Sequence, residues 1–596
     1  MPGIVGIIGG RNSVERGERL QKMAACLKHD PAYVAGTLQE EKLGCAVGWA
    51  CHPGSFSDCL PVWNERRDIC LIFVGEHFSD RADESVRRLV RDYEDLGARF
   101  FETLNGSFSG VVLDLREGKA VLFNDRYGLN RIYFHETADG FYFASEAKAL
   151  LKVLPQLRQL DTPSFAEALT CTCAMQNRTI FSGVSLLPHS SAWTFVPRVP
   201  VRKEVYFSPA AWEQLPALSP EAYCAKLDET FTRILPRYFR GDQKIALSLT
   251  GGLDSRMIMA AAPVKAGQMP CYTFGGMYRE CADVRLAKQI AAACGQKHET
   301  LPVSREFFAE FLDLAQRSVY YTDGAMDVMG SVELFANKAA KQIAPVRMTG
   351  NYGSEILRLN VAFKPVPLSG GILEESFGAQ TREAAATYAA ERKGNATSFI
   401  AFKQVPWLHY ARMAVEHSQL TLRSPFLDND LVAVAYQAPS GLSLNKILAF
   451  RYIAEHNPAL GTIPTDRGMI DLSGKPAGKL KVFCQEFMPR VEYCFDYGMP
   501  ARMAKLDRFL FAPLGVERLF LGRQKFYHFR TWYRDELADS VKAVLLDPRT
   551  LGRPYLNGKR VEAIVNEHTS GRGNHTLAIH KLLTSEFIQR QLIEQC

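Results

Sequence analysis

Along the N-terminal third of the chain the apolar positions come in short runs separated by turn residues. Ile4–Ile8, Cys45–Ala50, Cys70–Val74, Phe108–Leu115, Ala120–Asn124, Ile132–Phe134 and Phe141–Ala144 each have the length and composition of a strand. Glu117-Gly118 and Asp139-Gly140 fall between consecutive runs and supply hairpin turns. Strands joined in this way make antiparallel sheets, and sheets with an apolar face must stack on something. Further on the pattern changes. Ile245–Leu249 predicts a strand that runs into a glycine pair, then a helix from about Ser255 through Ala262. Met269–Phe274 and His298–Val303 predict further strands flanking an amphipathic helix over Ala282–Ala293, and Val346–Thr349 a later strand. Alternating strands and helices of this kind build a parallel sheet. The expected boundaries are 1–205 for the strand-rich part and 215–596 for the rest, helical from about 485.

Composition narrows the picture. The 596 residues suit two or three domains, and 47% hydrophobic with 23% charged residues is the balance of a packed core. The net charge of +7 is spread along the chain. It suits anionic ligands, but no basic stretch interleaved with aromatics argues for nucleic acid. Fourteen cysteines contain no CxxC pair, which points to reduced thiols, with Cys171 and Cys173 as core residues. MPGIVGIIGG lacks the charged start and cleavage site of a secretory signal, and no run approaches the roughly 20 apolar residues of a spanning helix. A cytoplasmic location without a membrane span is expected.

The candidate chemistry sits after the strand Ile245–Leu249. In Thr250-Gly251-Gly252-Leu253-Asp254-Ser255 the glycines let backbone N–H groups approach phosphate, and the following helix N-terminus favours negative charge. Thr250 and Ser255 carry hydroxyl donors, and Asp254 a carboxylate for Mg²⁺. The GxxxxGK[ST] spacing of a Walker A loop is absent. The segment resembles the "SGGxDS" loop of ATP pyrophosphatases. Thr349-Gly350-Asn351-Tyr352-Gly353-Ser354-Glu355 is similar to the "SGEGSDE" loop of asparagine synthetases, and more so to the "TGYGSD" loop of β-lactam synthetases. Leu422-Arg423-Ser424-Pro425-Phe426-Leu427-Asp428 resembles the superfamily's "RxPFLD", whose expected role is helix docking. The run from Trp532-Tyr533-Arg534 through Glu586 resembles bacterial asparagine synthetase-like proteins.

The N-terminal part carries a matching resemblance. Asn124–Phe134 and Phe143–Leu150 are similar to the "RDRFGIKPLYY" and "FASEIKAL" segments of class II glutamine amidotransferases. That likeness implies an Ntn-type sandwich of antiparallel sheets, followed by a PP-loop domain of the adenine nucleotide alpha hydrolase kind. The residues of a glutaminase are missing. The family's N-terminal cysteine nucleophile is replaced by Pro2, and the oxyanion asparagine of "YNGEIYN" by Val74 ahead of Gly75. The arginine of "HRGPD" is absent from His29-Asp30-Pro31. A nucleophile and an oxyanion donor are both needed for amide hydrolysis, so this half is expected to be inactive: a scaffold, a dimer surface or a lid.

The resemblance implies an AMP-forming ligase with ATP and Mg²⁺. Ser248, Thr250, Gly251, Gly252, Leu253, Asp254, Ser255, Thr273, Phe274, Gly350, Gly353 and Ser354 would contact the nucleotide, and Asp254 and Glu355 the metal. In the β-lactam synthetases the tyrosine matching Tyr352 helps deprotonate the substrate's own amine. The family lysine of "RxKxGF" is missing near Ile463-Pro464, where Arg467 or Lys475 would supply the charge. Asp283 is either a helix N-terminal charge or part of the nucleotide site. The expected partners are a small-molecule, peptide or glycan substrate bearing a carboxylate and an amine, and a second copy of the chain in a homodimer. Two other readings are a nucleotide-binding partner protein without turnover and an ammonia-dependent asparagine synthetase.

Overall fold

The structure is a computed structural model and describes residues 2–10, 12–368, 370–441, 446–465, 491–492, 494–497 and 514–595. The N-terminal strands are β1 (Gly3–Gly9), β2 (Val34–Glu40), β3 (Cys45–Cys51), β4 (Val62–Trp63), β5 (Ile69–His77), β6 (Gly106–Asp114), β7 (Lys119–Asn124), β8 (Tyr133–Glu136), β9 (Gly140–Ala144), β10 (Ser185–Leu186), β11 (Ser191–Phe195) and β12 (Arg202–Val205). They form two six-stranded antiparallel sheets, ordered β10-β8-β9-β1-β3-β2 and β12-β11-β7-β6-β5-β4. The inner faces meet through Ile4, Ile8, Val47, Trp49, Ile72, Val74, Leu122 and Phe143. The outer face of the first sheet packs on the helix Ser13–Cys26, and that of the second on Val86–Leu96. Every predicted strand of this half is present, as is the predicted sandwich.

The remaining strands are β13 (Ile245–Ser248), β14 (Cys271–Gly275), β15 (His298–Pro302), β16 (Val346–Thr349) and β17 (Thr421–Arg423), all parallel, in the order β15-β14-β13-β16-β17. Helices surround this sheet, so both its faces are covered and its central strands are almost wholly buried. The chain climbs from β13 to β14 and β15 on one side, then crosses to β16 and β17 on the other. The order therefore reverses at the β13/β16 pair, where Ser248 is opposite Thr349. Loops leaving these two strands diverge, and the crevice between them is where doubly wound sheets bind ligands.

The two halves share cores. One cluster joins Val5, Ile7 and Leu150 to Phe307, Trp532 and Leu583. Another joins Phe78, Tyr127 and Leu129 to Leu247, Met257 and Tyr410. Polar ties reinforce the junction. Arg423 makes a bidentate pair with Glu76 at 2.5 and 2.9 Å, the geometry that favours guanidinium–carboxylate contacts. Asp428 accepts from Asn105 Nδ2 at 2.9 Å, Tyr238 OH at 3.1 Å and Arg237 Nη1 at 3.1 Å. The "RxPFLD"-like segment thus docks one half on the other.

Candidate functional site

A cavity of about 440 Å³ opens at the β13/β16 reversal. Thr250–Ser255 leads from β13 into the helix Asp254–Ala261, and Gly350–Glu355 leads from β16 into the helix Gly353–Arg358. The two loops are pressed together. A Cβ at Gly350 would lie 2.6 Å from Ser255 N, and one at Gly353 2.5 Å from Asp254 Cγ. Only glycine fits at either position, for a reason of packing rather than phosphate approach. Between them Tyr352 is held at φ +72°, a left-handed conformation that costs a non-glycine residue of order 1 kcal/mol or more.

The first loop is satisfied internally. Ser255 Oγ accepts from Thr250 N at 3.1 Å and shares a hydrogen bond with Thr250 Oγ1 at 3.1 Å. Gly251 N donates to Asp283 Oδ1 at 3.0 Å. Asp283 is therefore both the acidic residue of its helix's first turn and a partner of the loop, with a place on the cavity wall. Thr273 Oγ1 donates to Leu249 O at 2.6 Å and lies 2.8 Å from His298 Nε2. Ser248 Oγ accepts from Arg347 Nη2 at 3.0 Å, and the Arg347 guanidinium lies 5.2 Å over the Phe274 ring.

Most residues expected in the site line this cavity: Ser248, Thr250, Gly252, Asp254, Ser255, Thr273, Phe274, Gly350, Tyr352, Ser354 and Glu355. Three do not. Leu253 points into the core, because it is the apolar residue of the helix's first approach to the sheet. Gly251 packs against Leu286, with its N–H already taken by Asp283. Gly353 is covered by Asp254. Arg467 and Lys475 lie outside the described residues.

Asp254 is engaged by Arg358, whose Nη2 donates to both carboxylate oxygens at 2.7 and 2.8 Å. Glu355 Oε2 accepts from Ser354 Oγ at 2.9 Å, and its other oxygen lies 3.8 Å from His409 Nε2. Among the described residues no group of three or more His, Cys, Asp or Glu could hold a metal ion. Asp254 and Glu355 both line the cavity, and two carboxylates suit a Mg²⁺ ion that brings phosphate and water ligands with it, not a metal caged by protein alone.

The floor was not legible in the sequence. Gln404, with 0% exposure, sits in a π-helical turn over Ile400–His409 that contains Pro406, and it accepts from Ala362 N and Phe363 N. That wide turn, a feature recurrent at functional sites, leads into the helix Tyr410–His417. His409, Arg412, Met413 and Glu416 thereby line the cavity, with Glu333 and Arg347 opposite. Burial lowers the His409 ring to about 4, so it is neutral at physiological pH. Burial raises the Glu416 carboxyl, opposed by Arg347. The Tyr352 hydroxyl is pushed far above its ordinary value by burial, then by Glu416 and Glu355.

The opposite wall carries Gln524, Lys525, Phe526 and Tyr527. Lys525 was missed in the sequence. Its signal was there: Arg523-Gln524-Lys525-Phe526 has the Arg-x-Lys spacing, just ahead of the Trp532-Tyr533-Arg534 run.

A smaller, mostly apolar cavity of about 70 Å³ adjoins the first at Thr349, Asn351, Tyr352 and Met413, and reaches Gly75, Glu76, Asp125 and Asn130 of the sandwich. In that sandwich Pro2 is buried, and Val74 faces the inter-sheet core. Gly75 has φ +127°, with Ser107 O 2.1 Å from where a Cβ would stand, so backbone geometry alone requires this glycine. His29 is paired with Glu146 at 2.9 Å and stacks on Tyr321.

Two family models match this architecture in order: a glutamine amidotransferase domain over residues 66–207 and an asparagine synthase domain over residues 226–452. In both stretches the chain is asparagine synthetase-like. Asparagine synthetase [glutamine-hydrolyzing] 1 of Bacillus subtilis is 22% identical over 300 residues, covering 49% of this chain and 46% of the relative. A putative asparagine synthetase of Mycobacterium tuberculosis is 22% identical over 453 residues, covering 64% and 68%. The chain thus spans about half the length of the first of these asparagine synthetases and two thirds of the second. Among solved structures, glutamine phosphoribosylpyrophosphate amidotransferase from B. subtilis aligns over 50% of this chain and 65% of its own, at 10% identity and a TM-score of 0.23. Among the described residues of this asparagine synthetase-like chain, no helix is long and apolar enough to cross a membrane.

Proposed function

We propose that this protein is an ATP-dependent, AMP-forming carbon–nitrogen ligase that takes its amine from a bound substrate rather than from glutamine. The observation that carries the reading is the meeting of three elements around one cavity: the Thr250–Ser255 loop, the Gly350–Glu355 loop and Lys525. The first loop would receive the triphosphate, with Asp254 and Glu355 holding Mg²⁺. A substrate carboxylate oxygen attacks the α-phosphorus, and the bond to the β-phosphate breaks, giving acyl-AMP and pyrophosphate. The substrate amine then attacks the acyl carbon, AMP leaves, and the amine gives up a proton. Lys525, rather than Arg467 or Lys475, is the cation we assign to neutralising charge in both steps.

Tyr352 is the residue we assign to the second step, because it lines the cavity together with Glu416 and Glu355. With its hydroxyl raised so far, it remains a phenol at neutral pH and would pass a proton rather than take one. Glu416, which shares the cavity and whose carboxyl is raised by burial, is the acceptor we assign to it. Independence from glutamine is supported by Pro2 and Val74, which offer neither nucleophile nor oxyanion donor. A second reading, a member that binds nucleotide without turning it over, rests on the Arg358–Asp254 pair, which competes with a metal for the Asp254 carboxylate. One experiment separates the readings. Purified protein with MgATP and a panel of amino-bearing carboxylates should release AMP and pyrophosphate in equal amounts, with no need for glutamine. MgATP binding without AMP would favour the second reading, and ADP release would refute both.

A further inference from the structure

Lys525 lines the cavity, and its side chain is held by its surroundings. It is 4% exposed, and one short segment grips both its backbone and its ammonium. Glu492 accepts the N–H groups of Gln524 at 2.8 Å and Lys525 at 3.3 Å. Four residues on, the Asp496 carboxylate pairs with Lys525 Nζ. The rings of Tyr497 and Tyr527 lie 3.9 and 4.6 Å from the same nitrogen.

Asp496 is itself fixed. Its Oδ1 accepts from Arg530 N at 3.1 Å, and its carbonyl from Asn574 Nδ2 at 3.2 Å. The neighbouring Phe495 carbonyl accepts from Arg530 Nη1 at 2.7 Å and Asn574 Nδ2 at 3.1 Å. The carboxylate is therefore anchored to the helix Phe529–Arg534 and to the turn before Thr576–Ile588, independently of the lysine it touches.

We infer that Asp496 is a positioning residue: it holds the Lys525 ammonium charged and fixed at the cavity wall, and so sets the pH range over which the site accepts nucleotide. The inference deepens the ligase reading and rests on it. Its physical basis is the cost of a charge out of water. Burial lowers the Lys525 ammonium from its ordinary value, and Asp496 is the largest influence in the other direction, followed by Glu492. The other titratable groups around it do not take over this task. Burial raises Glu492 to about 7, leaving it only part-charged at neutrality. It lowers His528 to about 4 and His580 further still. Tyr497 and Tyr527 present ring faces to the ammonium. A buried amine deprived of a close counter-charge gives up its proton more readily.

The test is competitive acetylation of the full-length protein, read by mass spectrometry at Lys525 across pH. This needs no knowledge of the substrate. The parent should titrate with a midpoint above pH 7. Asp496→Asn should lower that midpoint by about 1–3 pH units, the usual effect of one close opposite charge, and Asp496→Glu should restore it. MgATP, followed by calorimetry, should bind Asp496→Asn more weakly at pH 8 and like the parent below the new midpoint. A purely structural role for Asp496 would weaken binding equally at every pH. A parent midpoint below 7, or an unchanged midpoint in Asp496→Asn, overturns the inference, and the first of these needs no variant to fold. If the parent bound no MgATP at any pH, the ligase reading would fall while the labelling still decided the role of Asp496.

Discussion

Gly353→Ala is a small change with a calculable consequence. The added methyl would stand 2.5 Å from Asp254 Cγ and 2.6 Å from Oδ1. Comfortable carbon contacts begin near 3.5 Å, so one side must retreat by about 1 Å. Asp254 cannot simply swing away, because Arg358 holds both its oxygens at 2.7 and 2.8 Å. The movement falls on the position of the carboxylate and on the packing of the two loops. Overpacking of this size costs about 1–3 kcal/mol, a fraction of the 5–15 kcal/mol of ordinary domains, so the protein should fold. A displacement of about 1 Å at a group that orients reactants can cost about 100-fold in rate. We therefore expect pyrophosphate release to fall by about two orders of magnitude with only a modest change in melting temperature. Gly378→Ala is the control. That glycine lies in the helix Glu375–Glu391 with nothing within 4 Å of a new Cβ, and alanine there should stabilise by about 1 kcal/mol without touching turnover. Parent-like turnover in Gly353→Ala would show that Asp254 need not stand where the structure puts it.

Other expectations follow from the same geometry. Asp254→Asn should abolish most pyrophosphate formation and, because Arg358 loses a charged acceptor, also lower stability by about 1–3 kcal/mol in urea unfolding; full activity would remove the loop from the mechanism. Neither the parent nor Pro2→Cys should release glutamate from glutamine above background, since Val74 leaves the oxyanion side unfilled; measurable glutaminase in either would contradict this. Tyr352→Phe should spare acyl-AMP formation while slowing amide formation by about 100-fold or more, seen in a single-turnover quench; equal loss of both steps would reduce Tyr352 to packing.

How much could be read from the chain depended on burial. Strands whose residues are almost all buried, such as Cys45–Cys51 and Ile69–His77, announce themselves as apolar runs. Edge strands do not: Arg202–Val205 is exposed throughout and Val34–Glu40 has no buried residue, because an edge must stay polar to avoid further pairing. The helix Ser13–Cys26 was passed over as well, since its buried stripe of Leu20, Met23 and Ala24 is interrupted by charge. In the site, loops with a local grammar of glycine and acid were legible. The partners that reach them from afar were not: Arg358 on Asp254, Asp283 on Gly251, and Lys525 from more than a hundred residues beyond the second loop. Spacing along a chain carries no record of such approaches.

The shared cores set a limit on how this chain can be divided. Phe78, Tyr127 and Leu129 belong to the same apolar cluster as Leu247 and Met257, and Val5 and Leu150 to that of Trp532 and Leu583. A fragment starting near residue 215 would uncover those faces to water and strand Arg423 without Glu76. The sandwich can thus dispense with chemistry of its own and still be indispensable, much as a keystone carries load without being a door. Heating the intact protein should melt both halves in one transition, and a gene that shed its first third would encode an aggregate rather than a smaller enzyme.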